Sequence, residues 1–599
     1  MSVEDAGQQA SRDQQSVSEA GTLAVSARQA QTQLTELSQE QIDRIVTAMA
    51  EAVTPHAEAL ARLAVEETGY GVVADKIQKN LFASDRVYQF IRPIRTVGVV
   101  NRIEDRKIIE IAEPFGVVAA IVPSTNPTST AIYNVLIALK ARCAVIISPH
   151  PSAVRCITRT VEILAEAAAG AGAPAGSIGW MNTVTLDGTQ ALMKHREVAV
   201  ILATGGMGLV RAAYSAGKPA YGVGPGNAPC YVERTADIAK AASDILVGKT
   251  FDNGVLCSSP NSVVVDESVS EELARECEAR GAYFLNTAEA EVLAAALVTP
   301  QRLPNPALVG KSAAFIAAQA GLSVPEGTRV LIARLDGVGR DYPLSIEKLA
   351  PVLSWYVVSD WREGCERCIQ VLRYGGMGHT MSIHSRAEDV ILEFGLKKPA
   401  GRICVNTPTT HGSIGLTTGL DPALTLGCGG WGGNITSDNI SPRHLLNIKR
   451  LAYEIRPAVV TRAFFDSVET EKRSGAQATT IDVSQPAARV GSRRDGIPVE
   501  VLASRIDAFL ASKGFGSASA PPPVSVPPAS VPPVPLPSEA EEATDAAAVT
   551  AAPVAEFVCE EDVREAMRAG RKLVVGEKTI LTPLARDLGE TERVFVIAP

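Results

Sequence analysis

GVVAAIV (116–122), CAVIIS (143–148) and VAVILAT (198–204) decide the fold. Each is a short, nearly unbroken apolar run, and helical stretches near 128–141, 151–169 and 206–216 lie between or after them. Strands without polar alternation are buried on both faces, and strand–helix–strand order yields a parallel sheet covered by helices. The alternation runs from Glu113 to about Tyr231, and a second α/β region extends from about 240 to 425. Just upstream, residues 97–114 (VGVVNRIEDRKIIEIAEP) read as a β-hairpin outside the sheet. Ser38, with Gln41 three residues on, forms a capping-box pattern, and Ile42, Ile45, Val46 and Met49 follow at helical spacing. Order is therefore expected from about Ser38. Residues 1–33 are polar and short of large hydrophobes, which reads as a mobile tail.

Beyond Pro457 the texture changes. Val499, Leu502, Ile506 and Phe509 make one amphipathic helix (498–513), with Pro498 at its start and Gly514 past its end. PPPVSVPPASVPPVPLP (521–537) holds 9 prolines in 17 residues, a polyproline spacer of roughly 50 Å. An acidic, Ala-rich stretch and a small ordered-looking piece from about Glu556 to Pro599 end the chain.

Composition narrows the class. With 46% hydrophobic and 21% charged residues the chain has the balance of a folded enzyme. A net charge of −9 and only 5% aromatics argue against nucleic acid or an anionic membrane as partner. Ten cysteines in 599 residues are too sparse for a disulfide scaffold. No apolar run approaches the ~18 residues of a membrane span, and residues 1–33 lack a signal-peptide layout. A cytoplasmic protein is expected.

Cys257, in FDNGVLCSSPNSVVV (251–265), occupies a Gly/Asn/Ser/Pro loop just ahead of a β-rich run, where a thiol can face a cleft. Cys365 and Cys368 form a CxxC without a second pair, in a helix-like run, and read as two thiols on one face; no metal site is expected. Around Cys257 stand, in order, PSTNPTSTAIYNVLIALKARCAVIISPHPSA (123–153), ATGGMGLVRAAYSAGKPAYGVGPGNAP (203–229), EKLAPVL (347–353), YGGMGHT (374–380) and LGCGGWGGNITSDNISPRHLLNIKR (426–450). Together these motifs, within about 36–456, resemble the CoA-acylating branch of the aldehyde dehydrogenase superfamily.

The resemblance implies an α/β aldehyde dehydrogenase fold: a Rossmann-like NAD-binding domain, a catalytic α/β domain and an oligomerisation hairpin, followed by a disordered Pro-rich tail. The expected division is a disordered leader (1–35), an NAD-binding domain (36–239) and a catalytic domain (240–425). A return to the NAD-binding and oligomerisation region (426–456), a linker (457–555) and a small C-terminal module (556–599) complete it. A homo-oligomer, dimer or tetramer, is implied, with the 97–114 hairpin and residues near 430–456 as its contact.

By the same resemblance Cys257 attacks the aldehyde as thiolate, and Asn126 with the Cys257 N–H stabilises the oxyanion. The alternative for Asn126 is an Asx turn before Pro127. Thr204, Gly205 and Gly206 would place backbone N–H groups on the NAD pyrophosphate, or simply form a tight strand–helix turn. Glu347 would hold the nicotinamide ribose, or be an exposed acid at a helix start. Pro149 and His150 fall near the adenosine ribose, with NAD or NADP left open. His379 would assist CoA, or be structural.

Hydrolytic relatives carry a water-activating glutamate in an E-L-G-G motif, whereas the corresponding GVGPGN (222–227) has no acid. A CoA thiol needs less help than water, so the missing base points to acyl-CoA as product. The rivals are a hydrolytic dehydrogenase releasing the free acid and an inactive scaffold. The 498–513 helix and the ILTPLARDL run (580–588) resemble targeting pieces of microcompartment proteins, which implies shell proteins as partners and the microcompartment lumen as a possible location. A solvated helix with a small accessory module is the alternative.

Overall fold

The computed structural model describes residues 3–456 and most of 555–597. The helix at 498–513 and the spacer at 521–537 lie outside the described residues, as does part of the ILTPLARDL run. The chain divides into two units, residues 1–474 and 475–599.

In the first unit, β1 (Gly98–Ile103) and β2 (Ile108–Pro114) form the expected antiparallel hairpin. The runs that decide the fold become β3 (Val117–Val122), β4 (Val145–Pro149) and β6 (Val198–Thr204). With β5 (Ile178–Trp180) and β7 (Ala220–Val223) they make a five-stranded parallel sheet in the order β5-β4-β3-β6-β7. Helices Pro127–Lys140 and Val154–Gly170 fall where the apolar periodicity placed them. All fourteen residues of the first are buried. The order reverses around β3, which opens a crevice at the carboxyl ends of β3 and its neighbours.

A seven-stranded parallel sheet follows, from β8 (Ala228–Val232), β9 (Pro260–Asp266), β10 (Ala282–Leu285), β11 (Val330–Arg334), β12 (Val352–Val358), β13 (Gly378–His384) and β14 (Ala400–Val405). Its order is β10-β11-β12-β9-β8-β13-β14. The chain then returns as β15 (Leu446–Ala452), which pairs antiparallel with β2. β8 belongs to this second sheet, through Cys230↔Val263 and Ser382↔Cys230. The crossing between sheets therefore comes at Gly224–Asn227 and not near residue 239. An unbroken apolar run such as APCYV does not reveal which sheet a strand joins.

The leader departs most from expectation. Residues Val3–Thr35 form one helix, with Ala20, Ala24, Ala27, Ala30 and Leu34 buried. Small residues let it lie close against the sheet and its neighbouring helix. A Cβ on Gly188 would come within 1.9 Å of Ser16 Oγ, and Ser16 Oγ donates to the Thr183 carbonyl at 2.5 Å. Low hydrophobicity here marks close packing, not disorder. Ser38 then caps helix Gln39–Val53 with both bonds of the box in place.

The second unit contains β16 (Ala555–Val558), helix Glu560–Arg568, β17 (Leu573–Leu581) and β18 (Phe595–Ile597), a parallel three-stranded sheet. Val558, Val563, Ala566 and Val575 are in its core. Among the described residues no helix is long and apolar enough to cross a membrane.

Gln31 provides a buried polar attachment of the leader helix, beside those made by Ser16 and Glu19. Its Nε2 donates to the Arg142 carbonyl at 2.8 Å, and its Oε1 accepts the Ala144 N–H at 2.8 Å, all buried. Gln31→Ala strands both backbone groups, each costing about 1–3 kcal/mol. The variant is expected to unfold at lower temperature or denaturant concentration, with kcat unchanged.

Candidate active site

The crevice at the carboxyl ends of β3, β4, β6 and β7 is a cavity of about 410 Å³. It gathers Asn126, Pro149, His150, Thr204, Gly205, Gly206, Cys257 and Glu347 from segments that lie far apart in sequence. Val122, Leu209, Leu256 and Ile414 supply much of the apolar wall. His379 is not among the lining residues.

Cys257 follows a constrained turn. Asp252 (φ 51°), Asn253 (φ 54°) and Gly254 (φ 75°) are successive left-handed residues, a conformation that costs non-glycine residues energy unless their surroundings enforce it. The Asp252 side chain accepts the Val72 N–H at 2.7 Å and the Lys76 ammonium at 2.9 Å, and it pairs closely with Lys79. Its own N–H donates to Asp75 Oδ2 at 2.7 Å. From there the chain runs through buried Val255 and Leu256 to the half-buried Cys257. Burial pushes the thiol up to about 12, helped by Glu347 and Cys428 and opposed by Arg402. Burial thus keeps Cys257 protonated near neutrality, so attack as thiolate relies on the small fraction that is ionised.

Asn126 stands at the N-cap of helix Pro127–Lys140 but makes no capping bond, so it does not form the Asx turn. Its Oδ1 accepts from Lys79 Nζ at 2.6 Å, and its Nδ2 donates to Thr125 Oγ1 at 3.2 Å.

Glu347 is half-buried in an irregular, mostly buried stretch rather than at an exposed helix start. Its Oε1 accepts the Gly226 N–H at 2.9 Å. Burial raises its carboxyl to about 7, against the Gly226 bond and the nearby Lys249 and Lys348. The Gly226 carbonyl accepts from Asn261 Nδ2 at 3.1 Å, and Lys249 Nζ donates to Asn261 Oδ1 at 3.1 Å. Gly226 packs so tightly that a Cβ there would meet the Cys257 carbonyl oxygen at 2.1 Å.

That same Cβ would come within 3.1 Å of His379 Nδ1. His379 is fully buried at the start of β13, with Nδ1 3.0 Å from Thr380 Oγ1 and Nε2 unpartnered among the described residues. Burial and the neighbouring Arg402 lower its pKa to about 3, so the ring is neutral. Arg402 is itself buried, donating to the carbonyls of His379 at 2.9 Å and Ser437 at 3.0 Å.

Gly206 occupies the N-cap of helix Met207–Tyr214 with no side-chain cap, and nothing lies within 4 Å of where its Cβ would be. The Leu209 N–H donates to the Gly206 carbonyl at 3.0 Å and the Gly205 N–H to the Val223 carbonyl at 3.2 Å. The N–H groups left for an anion are therefore those of Met207 and Gly208 at the helix start, which suits a dinucleotide pyrophosphate. Among the described residues no lysine or arginine lines the cavity.

Lys76, Lys79, Asp252, Asn261 and Arg402 escaped the sequence reading. The left-handed Asp-Asn-Gly in FDNG was the one visible signal, since buried lysines at i and i+3 look like a solvated helix face. Because burial holds the thiol up near 12, thiolate should rise about tenfold per pH unit. Alkylation of Cys257 by iodoacetamide in the unliganded protein is expected to follow that slope from pH 7 to 9. A plateau near pH 7 contradicts it.

The family model described as "Aldehyde dehydrogenase family" matches residues 5–301, the N-terminal helix included. A bifunctional aldehyde-alcohol dehydrogenase of Escherichia coli K12 is 42% identical over 441 residues, 73% of this chain and 49% of that protein. The chain spans about half the length of the bifunctional relatives it matches. The crystal structure of an acetylating aldehyde dehydrogenase from Geobacillus thermoglucosidasius is 48% identical with a TM-score of 0.74, covering 75% of this chain and 99% of that one. A propionaldehyde dehydrogenase from the Clostridium phytofermentans fucose utilisation bacterial microcompartment is 29% identical with a TM-score of 0.66, covering 74% and 98%. With a thiol, an amide and a glycine-rich helix start converging on one crevice, and with these relatives, the chain belongs to the aldehyde dehydrogenase family.

Proposed function

We propose that the protein is a CoA-acylating aldehyde dehydrogenase: aldehyde, NAD+ and CoA give acyl-CoA, NADH and a proton. The observation that carries the reading is the wall beside Cys257. Gly226, within the segment where hydrolytic relatives place their base, abuts the Cys257 carbonyl and has no room for a side chain. Among the described residues Glu347 is the only acid lining the cavity, and the Gly226 N–H holds it. Water therefore lacks a dedicated base, while a thiol acceptor needs less assistance.

In this reading Cys257 Sγ attacks the carbonyl carbon. Asn126 Nδ2 and the Cys257 N–H donate to the developing oxyanion. Bound NAD supplies the hydride acceptor. Cys257 then carries the acyl group as a thioester until the CoA sulfur displaces it and restores the thiol. Thr204, Gly205 and Gly206 bind the pyrophosphate, Glu347 the nicotinamide ribose, and Pro149 and His150 the adenosine ribose. Among the described residues that line the cavity there is no lysine or arginine to meet a 2′-phosphate, which favours NAD. His379, neutral and off the cavity, acts by supporting Gly226 and Cys257 rather than as the base for CoA.

One observation favours the hydrolytic alternative: Glu347, raised to about 7, has the pKa of a workable base. An aldehyde panel assayed for NADH with and without CoA separates the two. CoA is expected to raise steady-state turnover at least tenfold, and Glu347→Gln to weaken NAD binding while leaving CoA dependence intact. Equal turnover without CoA, abolished by Glu347→Gln, overturns the acylating reading.

The tail after residue 456 extends the proposal to location. The likeness of its 498–513 and 580–588 segments to microcompartment targeting pieces supports a role for it in docking to shell proteins, one relative being itself from a microcompartment. The β1–β2–β15 sheet supports a homo-oligomer contact. Truncation at about residue 470 is expected to preserve activity and abolish co-sedimentation with shells. Retained co-sedimentation removes the docking role.

A further inference from the structure

Two lysines without an evident catalytic task lie buried beneath the cavity. Helix Val73–Leu81 carries Lys76 and Lys79, with side chains 2% exposed each. Lys79 Nζ reaches Asn126 Oδ1 at 2.6 Å and Asp252 Oδ2. Lys76 Nζ reaches the Thr125 carbonyl at 3.1 Å and the same Asp252 Oδ2 at 2.9 Å. One carboxylate thus joins the segment that follows β3 to the turn that leads to Cys257.

We propose that Lys79 is a positioning residue that fixes the amide of Asn126, so that Nδ2 and not Oδ1 is presented beside Cys257. An ammonium has donors only, so the atom it meets must be the amide oxygen. That leaves the NH₂ end away from Lys79. One of its hydrogens is used on Thr125 Oγ1, and the other is free for the oxyanion. With Lys79 absent, the amide is free to turn by 180° and to set its oxygen lone pairs against the developing negative charge. Asp252 keeps Lys79 in place: removing the carboxylate would leave two buried ammonium groups facing each other.

This inference rests on the oxyanion role of Asn126, and the experiment separates the two. In the full-length protein with saturating CoA, Asn126→Ala is expected to lower kcat about 100-fold, the scale of losing one oxyanion donor. Lys79→Met is expected to lower kcat at least tenfold, with KM for aldehyde and the Kd of NAD within twofold of the parent. The double variant is expected to be no slower than Asn126→Ala alone, because Lys79 has nothing left to orient. Should Lys79→Met fail to fold, Lys79→Gln, whose shorter side chain cannot reach Asn126 as the ammonium does, takes its place in the cycle.

A Lys79 variant with kcat within twofold of the parent, beside an impaired Asn126→Ala, overturns the positioning role and leaves the oxyanion role standing. Losses that multiply in the double variant overturn it as well, since Lys79 would then act by another route. An unimpaired Asn126→Ala removes the oxyanion role itself.

Discussion

Asp252 is the carboxylate on which the rest of the site depends. It is fully buried, and burial alone would push it toward its neutral form. Lys79 and Lys76 reverse that and hold it below its ordinary value. Lys79 in turn is lowered by its own burial to about 8, with Asp252 the chief force keeping it charged. Asp252 and Lys79 each keep the other charged in that interior. A helix, the segment after β3 and the turn before Cys257 are bound into one body. A thiol from the second sheet and an amide from the first can therefore share a crevice with fixed spacing.

The same interior explains the left-handed backbone at Asp252 and Asn253. The Asp252 N–H is committed to Asp75, and Asn253 Nδ2 donates to the Gly310 carbonyl at 2.9 Å. The turn is thereby held from two sides against its intrinsic preference. Local strain is redeemed by contacts distant in sequence, which delivers Cys257 to the mouth of β9 in one orientation.

Much of this was legible in one sequence, for physical reasons that differ by element. β3, β4 and β6 were plain because strands buried on both faces leave unbroken apolar runs, and helix Gln39–Val53 because Ser38 and Gln41 make a cap that local chemistry dictates. The crevice residues Asn126, Thr204, Cys257 and Glu347 were found through motif order, and their convergence is geometric. The helix Val3–Thr35 was misread because alanine and serine bury little area yet pack closely. The NAD-binding domain, expected to run to 239, takes in β8 of the second sheet because a strand's pattern reports its burial and not its neighbours. Lys79 and Asp252 were invisible, since charge at helical spacing usually signals solvent. Only long-range packing turns it inward.

The β2–β15 pairing matters on the ribosome as well as in the finished fold. β2 ends at Pro114, and its partner does not begin until Leu446. At ~5–20 residues per second, β2 waits roughly 15–70 s with one edge open. Throughout that interval the nascent chain offers unpaired N–H and C=O groups, to which another growing chain could add a strand. Until the last stretch of the first unit emerges, that exposed edge is a point where synthesis speed and chaperone supply govern how many chains mature.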